Sequence, residues 1–284
     1  MGLTNDCHFS VEFFPPKTDS AAEKLTRVQE KLALYNPDFF SVTYGAGGST
    51  REDTRDIVLK IRDTGANVAP HLSFGSDSTE KISQLLQSYQ SHGIDRVVAL
   101  RGDIPSGMGN TSGIHYANEL VTFIRDTTGD HFHIEVAAYP EAHPESSSVE
   151  MDLHYFKMKV DAGANSAITQ YFYNADAYFR FLDQCTQLGI TIPIVPGIMP
   201  ITNYSGLRRF SDNCGAEIPR WICKQLESYG DDRASIESFG EEVVTNLCER
   251  LLVGGAPGLH FYTLNKSKLT IRICQNLGVE KTVG

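Results

Sequence analysis

Short apolar segments alternate with longer amphipathic ones along the chain, a pattern typical of strands that are each followed by a helix. The apolar segments are, in order, FSVEFF, DFFSVTY, NVAPHL, RVVALRGD, HIEVAAYP, SAITQYF, PIVPGIMP and GLHFYTL. Helical spacing occurs over about 20–34, 79–92, 151–162 and 267–277, and two or three helical stretches precede the last strand. The sequence therefore predicts eight strand–helix units.

No linker rich in Gly, Ser or Pro interrupts these units, which favours an α/β fold with one domain, a single (β/α)8 TIM-type barrel over residues 1–284. A doubly wound open sheet is the alternative. It is disfavoured because a dinucleotide-binding sheet carries a G-x-G-x-x-G turn between a strand and a helix. The two glycine-rich turns of this chain, GAGGST and SGMGNTSG, lack that spacing.

Composition narrows the class of protein. A chain of 284 residues with 41% hydrophobic content can bury a large core, and its net charge of −10 disfavours a nucleic-acid binder. The sequence has neither an apolar run long enough for a membrane span nor a signal-peptide pattern at its start, so we expect a cytoplasmic protein without a membrane partner. The six scattered cysteines form no C-x-x-C pair and are expected to be reduced thiols.

The segment RVVALRGD is the first candidate for a functional site. If strand alternation continues to its end, Arg101 and Asp103 point the same way, and Gly102 between them admits a close approach. Ligands of parallel α/β proteins bind at the carboxyl ends of strands. A structural ion pair that closes the strand is an equally good interpretation of the same two charges.

Polar side chains also end the other predicted strands, and so many at one face of a barrel indicate a binding site. They are Glu12, Thr43, His71, Arg101, Asp103, Tyr139, Glu141, His143, Gln170 and Tyr262. Glu12 lies among Val11, Phe13 and Phe14, so burial is expected to raise its pKa and suit it to donate a proton near neutral pH. The alternative is a pairing with a basic neighbour such as Arg101, which would lower the pKa of Glu12 instead.

Other chemistries are weaker hypotheses. His71, Glu141 and His143 have the side chains of a metal-dependent hydrolase, but no spacing requires a metal site. His131 and His133 enter a strand rather than leave it, which places them at the wrong end of the barrel. No strand ends in the lysine that a Schiff-base aldolase needs.

Several motifs together carry a family likeness. VEFFPPK, SVTYGAGG, APHL, VALRGD, AAYPEAHPE, ITQYF, PGIMPITNY, EIPRW and LHFYTLN follow one another from about Phe9 to Leu277. In this series the chain resembles the short bacterial type of methylenetetrahydrofolate reductase. The resemblance implies a barrel that carries FAD and reduces 5,10-methylenetetrahydrofolate to 5-methyltetrahydrofolate with NADH or NADPH, in two alternating half-reactions. It also implies a homo-oligomer and no C-terminal regulatory domain.

The same resemblance assigns roles to individual residues. Glu12 would be the general acid that helps open the methylene bridge, and Asp103 would lie beside the flavin and contact the pterin. The flavin-binding positions would be Thr43, Tyr44, Ala46, His71, Arg101, Gly102, Asp103, Tyr116, Ala117, Tyr139, His143, Asp152 and Lys159. The folate would contact Asp103, Gln170, Tyr204, Tyr262 and Lys266.

The chain departs from the pattern of the resembled family in two respects. Lys266 stands where many members have an arginine, which keeps the charge for a glutamate-tail carboxylate but loses the bidentate fork. Tyr155 and Met158 stand on the helix of Asp152 and Lys159, where some relatives have polar or basic residues. Asp152 and Lys159 are seven residues apart and share a helix face, which either points toward the mouth of the barrel or is solvated.

Overall fold

The computed structural model describes residues 7–44, 51–74, 77–101 and 116–282. Within them nine parallel strands surround a common axis: β1 (Phe9–Phe13), β2 (Phe40–Val42), β3 (Val68–Leu72), β4 (Arg96–Ala99), β5 (His133–Ala138), β6 (Ser166–Thr169), β7 (Ile194–Val195), β8 (Gly197–Ile198) and β9 (Leu259–Tyr262).

Ten helices in the same ranges accompany the strands. They are α1 (Asp19–Ala33), α2 (Arg51–Asp63), α3 (Thr79–Ser91), α4 (Ala117–Thr128), α5 (Val149–Asp161), α6 (Ala175–Gln187), α7 (Tyr204–Cys214), α8 (Arg220–Tyr229), α9 (Arg233–Val253) and α10 (Lys268–Asn276). None of these described helices is long and apolar enough to cross a membrane.

The seventh predicted strand is the one that closes the barrel, and it does so in two pieces. β7 pairs with β6 on one side, whereas β8 pairs with β9 on the other, and only Pro196 separates the two pieces. Proline has no N–H for a ladder, but the Pro196 carbonyl accepts a hydrogen bond from His260 N at 3.0 Å. If β7 and β8 are counted as one broken strand, eight strand positions form a parallel barrel. This confirms the predicted barrel and rules out the open sheet. The prediction of an unbroken seventh strand was wrong.

Strand alternation separates two sets of side chains. Val11 and Phe13 of β1 are fully buried in the layer between strands and helices, while Ser10 and Glu12 point into the barrel. A small apolar cluster of Phe39, Ala69, Val98 and Ile168 fills the interior. The polar interior residues therefore sit against a packed apolar plug rather than an open channel.

Capping side chains fix where several helices begin. Thr18 accepts from Ala21 N at 3.2 Å before α1, and Ser148 accepts from Met151 N at 3.2 Å before α5. Asn203 accepts from Gly206 N at 2.7 Å and makes Tyr204 the first residue of α7, directly after the closing strand.

The fourth strand is shorter than its sequence indicates. β4 ends at Ala99, so Arg101 follows the strand instead of continuing its alternation, and the proposed shared face with Asp103 does not rest on strand geometry. Arg101 Nη2 donates to Glu145 Oε2 at 2.6 Å on the surface. Asp103, Gly102 and Ala46 lie outside the described residues.

The amino end of the barrel interior is closed by an ionic cluster. Glu135 of β5 pairs with Arg96 of β4 and accepts from Ser166 Oγ at 2.5 Å, while His133 Nε2 lies 3.4 Å from the same carboxylate. Glu135 is 2% exposed, and although burial raises its pKa, bonds from His133 and Ser166 and the charge of Arg96 lower it overall. His133 therefore lies at the amino end of the barrel, as its position at the start of β5 predicts, and takes part in this ionic cluster.

Candidate active site

Glu12 lies at the centre of the opposite, carboxyl end of the barrel, between two histidines. Its Oε2 is 3.3 Å from His71 Nε2 on β3 and 3.6 Å from His260 Nε2 on β9. The carboxylate is 18% exposed, whereas His71 is 8% and His260 is 0% exposed. The described residues therefore hold an acid and two imidazoles largely shielded from water.

His260 is itself oriented by a second contact. Its Nδ1 lies 2.7 Å from Ser10 Oγ, and Ser10 precedes Glu12 by two residues on the inward face of β1. An ionised carboxylate only accepts hydrogen bonds, so the Nε2–H group of His260 faces Glu12, while Nδ1 shares a hydrogen bond with Ser10 Oγ. The ring also packs edge-on against Tyr262, with centroids 5.3 Å apart.

These contacts reverse the expected direction of the Glu12 pKa. Burial raises it, as the apolar flanks predicted, but hydrogen bonds and charge from His260 and His71 outweigh burial and lower the pKa of Glu12 to about 2. The alternative interpretation, pairing with a basic neighbour, is the correct one for this structure. The neighbours are histidines and not Arg101, which pairs with Glu145.

Tyr262 lies at one side of the site, and its hydroxyl is bound to the main chain of β6. The hydroxyl donates to Thr169 O at 2.7 Å, and the ring lies against Gly197, where a Cβ would be 2.6 Å from Tyr262 and 2.1 Å from Thr169 O. Only glycine allows this close approach. Burial raises the Tyr262 pKa, so Tyr262 offers a rigid, neutral aromatic face to a ligand.

Lys159 and Asp152 bring opposite charges to the neighbouring part of the mouth. Lys159 Nζ donates to Ala137 O on β5 at 2.5 Å and lies 6.0 Å from the centre of the Tyr139 ring. Burial lowers the pKa of Lys159 to about 8 although the charge of Asp152 raises it, and burial raises the pKa of Asp152. Asp152 and Lys159 are therefore half-buried, and the Lys159 side chain turns toward β5. His143 packs edge-on against Tyr139 at 4.6 Å.

Two buried hydroxyls here have no hydrogen-bond partner among the described residues. They are Ser41 Oγ and Thr43 Oγ1, at and just after the carboxyl end of β2. Buried polar groups are normally satisfied, so these two hydroxyls mark a place where the polar atoms of a ligand fit. A crevice lined by Tyr44, Thr54, His71 and Ser73 opens beside them.

A second crevice lies across the mouth, lined by Tyr139, Glu141, Gln170 and Tyr171. The Gln170 side chain accepts from Tyr171 N at 3.0 Å, and Glu141 accepts from Glu217 N at 2.8 Å. His143 Nδ1 accepts from Glu145 N at 3.1 Å. Across the described ranges, His71, Glu141 and His143 do not gather into a metal-binding group, so nothing in the structure favours the hydrolase hypothesis.

The remaining predicted residues make contacts outside the group around Glu12. Tyr116 caps α4 ahead of Ala117, and its side chain is 57% exposed. The Tyr204 hydroxyl donates to Glu227 at 3.4 Å, and burial together with Cys223 raises the pKa of Tyr204 to about 12. Lys266 Nζ lies 3.4 Å from Thr202 Oγ1.

The sequence interpretation missed Ser10 and His260. Both are inward-facing residues of strands that were read correctly, and the period-two spacing of His260 and Tyr262 in GLHFYTL was the available signal. Their proximity to Glu12 depends on the pairing of the first strand with the last, Ser10 with His260 and Glu12 with Tyr262.

Comparisons with known proteins identify relatives over most of the chain. The methylenetetrahydrofolate reductase family model matches residues 3–278. The chain is 39% identical over 271 residues to 5,10-methylenetetrahydrofolate reductase of Escherichia coli (strain K12), covering 95% of this chain and 90% of that protein. It is 41% identical over 280 residues to the enzyme of the same name from Buchnera aphidicola subsp. Schizaphis graminum, covering 98% and 94%.

A plant relative and a solved structure are also similar to this chain. Methylenetetrahydrofolate reductase (NADH) 1 of Arabidopsis thaliana is 41% identical over 285 residues, which cover 95% of this chain but 48% of the plant protein. A solved structure from Clostridium thermocellum that binds two copies of 5-methyl-5,6,7,8-tetrahydrofolic acid superimposes with a TM-score of 0.68 at 17% identity, covering 97% and 95%, and shares the fold. The chain therefore belongs to the methylenetetrahydrofolate reductase family of oxidoreductases.

Proposed function

We propose that the protein reduces 5,10-methylenetetrahydrofolate to 5-methyltetrahydrofolate in an FAD-dependent reaction with NADH or NADPH as donor, and that Glu12 is the general acid. The single observation that carries the role of Glu12 is its position, an inward carboxylate at the carboxyl end of β1 between His71 and His260. Family membership supports the overall reaction.

The residues around the mouth fit a phosphorylated flavin. The Lys159 ammonium and the Arg101 guanidinium suit a pyrophosphate, and Thr43 Oγ1, which has no hydrogen-bond partner among the described residues, suits a polar atom of the bound ring system. Tyr44, Tyr116, Ala117, Tyr139, His143 and Asp152 complete the proposed set. FAD, when bound, supplies the chemistry that carries a hydride from the nicotinamide to the folate.

The protein's own contribution is to hold the folate and deliver one proton. Gln170, Tyr262, Tyr204 and Lys266 are proposed to hold it, and the Clostridium neighbour with the same fold binds a reduced folate. A proton leaves the Glu12 carboxyl for a bridge nitrogen, the carbon–nitrogen bond of the bridge breaks, and the resulting iminium carbon accepts the hydride. One hydride and one proton thus convert the methylene group to a methyl group.

Glu12 must carry a proton before this step, whereas its pKa of about 2 keeps it ionised in the ligand-free site. Ligands at the mouth would exclude water from the carboxylate and compete for His71, and both changes raise the pKa of Glu12. We therefore propose that Glu12 takes up its proton when the site is filled. Asp103, outside the described residues, stays a predicted contact of both flavin and pterin.

An anaerobic spectrum of the purified protein tests the proposal. We expect NADH or NADPH to bleach the oxidised flavin bands and methylenetetrahydrofolate to restore them. The Glu12→Gln variant should still be bleached but should recover at least about 100-fold more slowly, the usual scale of a lost general acid. Glu30→Gln, on the exposed face of α1, is the control. A protein that takes up no FAD, or a Glu12→Gln variant with normal recovery, would overturn the proposal.

A further inference from the structure

The turn after β9 holds the end of β1 through side chains. Thr263 Oγ1 donates to Glu12 O at 2.7 Å. The amide of Asn265 binds both main-chain groups of Phe14, accepting from Phe14 N at 3.0 Å and donating to Phe14 O at 2.8 Å. A side-chain amide has the same donor and acceptor as a peptide group, so Asn265 extends the parallel ladder past the last strand residues.

This turn has an unusual backbone. Leu264 and Asn265 have φ of 50° and 56°, in the left-handed region that residues with a Cβ rarely adopt, and Lys266 N donates to Thr263 O at 3.0 Å to close the turn. Such conformations persist only where the surroundings enforce them, and they concentrate at functional sites. Glu12 and Lys266, the proposed acid and a proposed folate contact, are both attached to this turn.

Phe14, which Asn265 holds, lies at the end of the main-chain hydrogen bonding of β1. Phe14 precedes Pro15 and Pro16, which have no N–H to donate, so Phe14 N is the last main-chain donor of the strand end. On the other side, Thr43 N donates to Phe13 O at 2.9 Å. The two sides together fix the backbone of Glu12, and hence the place of its carboxylate between the two histidines.

We propose that Asn265 is a positioning residue that fixes Glu12 through the main chain of Phe14. This inference rests on the proposed role of Glu12 as the general acid. Acid catalysis requires the donor within hydrogen-bond reach of the nitrogen it protonates, so a small displacement of Glu12 slows the folate step. It does not slow flavin reduction by the nicotinamide, which needs no proton from Glu12.

The decisive variant is Asn265→Gly, because glycine keeps the left-handed conformation at no cost while it deletes the amide. We expect methylenetetrahydrofolate to reoxidise the flavin about 10- to 100-fold more slowly, chiefly through kcat, the scale of a misplacement near 1 Å. Nicotinamide-dependent flavin reduction should stay within about twofold of the wild type. Asn276→Ala is the matched control, since Asn276 binds Glu241 and Thr245 on the barrel exterior.

A second measurement needs no turnover. In a carbon-13 NMR titration of the Glu12 carboxyl group in the FAD-loaded protein without folate, Asn265→Gly should raise the Glu12 pKa, because a displaced carboxylate loses its histidine contacts while it stays buried. The inference would be overturned if the Glu12 pKa were the same in Asn265→Gly and in the wild type. It would also be overturned if the folded variant reoxidised its flavin at the normal rate, or if both half-reactions slowed equally. If the wild type itself reduces no folate, the proposed function fails, while the titration still decides whether Asn265 positions Glu12.

Discussion

Glu12 Oε2 and His260 Nε2 lie 3.6 Å apart inside the barrel, although they come from the first and the last strand of the chain. The parallel pairing of β1 with β9 creates this contact, and the Ser10 hydroxyl orients the imidazole from below. The acid is therefore held in its ionised form by partners whose positions depend on barrel closure.

Replacing His260 by glutamine should raise the Glu12 pKa. The wild-type carboxyl group should titrate near pH 2, because the two histidines outweigh burial. In His260→Gln one of the charges that lower the pKa is gone and burial remains, so the midpoint moves up toward the ordinary value of 4.5 or beyond it. A carbon-13 NMR titration measures this midpoint, with exposed Glu30 as the internal reference. An unshifted Glu12 midpoint would show that His260 does not control it.

Lys159→Met should make the flavin-free protein more stable below pH 8. The Lys159 pKa is lowered to about 8 by burial, so the folded state disfavours the charge below that pH, and this cost disappears as the pH rises toward the ordinary value of 10.5. Allowing for partial exposure, we expect a gain of about 1–2 kcal/mol in the free energy of unfolding at pH 7, and none near pH 10.5. Urea denaturation at both pH values measures it.

The same variant should bind FAD less tightly, by about tenfold or more, because a charge-assisted hydrogen bond to phosphate is lost. Lys157→Met on the same helix is the control. Lys157 pairs with Asp161 toward solvent, so its loss should change stability by no more than about 0.5 kcal/mol. Equal flavin affinity in the Lys159 and Lys157 variants would exclude Lys159 from the cofactor site.

Gly197→Ala should destabilise the protein by about 2–3 kcal/mol, since the new methyl group would lie 2.1 Å from Thr169 O and 2.6 Å from the Tyr262 ring. The clash also displaces Tyr262 from its hydrogen bond to Thr169 O. Gly189→Ala is the comparison, because a methyl group there meets no atom within 4 Å and only the φ of 71° is unfavourable, at about 1 kcal/mol. Thermal or urea unfolding should rank the two variants in this order.

Glu135→Ala should damage stability without abolishing the folate step in the folded protein. It leaves Arg96 without its carboxylate at the amino end of the barrel, and because Arg96 is 29% exposed we expect about 2–4 kcal/mol, below the cost in a fully buried pair. The double variant Arg96→Met with Glu135→Leu should recover much of that loss. If Glu135→Ala slowed the folate half-reaction as much as Glu12→Gln does, a purely structural role for the amino end of the barrel would be contradicted.

The sequence predicted most of the fold from local patterns. Apolar runs such as those of β1, β6 and β9 specify strands through their immediate neighbours. The repeated order of strand and helix then favoured a barrel. Two strands differ from the prediction, and both differences are local. Pro196 splits the seventh predicted strand, and β4 ends at Ala99, before Arg101 and Asp103.

The sequence by itself determined the barrel, the family and the inward placement of Glu12, because periodicity and motifs are properties of neighbouring residues. The tertiary structure decided the protonation state of Glu12, because that depends on His71 and His260. The pairing of β1 with β9 brings His260 to the carboxylate, and the pairing of β1 with β2 and of β2 with β3 brings His71 there. It likewise decided that Asn265 binds Phe14, and that Lys159 turns inward against Ala137. The pKa of a buried group depends on contacts with residues distant in sequence, so it is not predicted by the pattern of residues around that group in the chain.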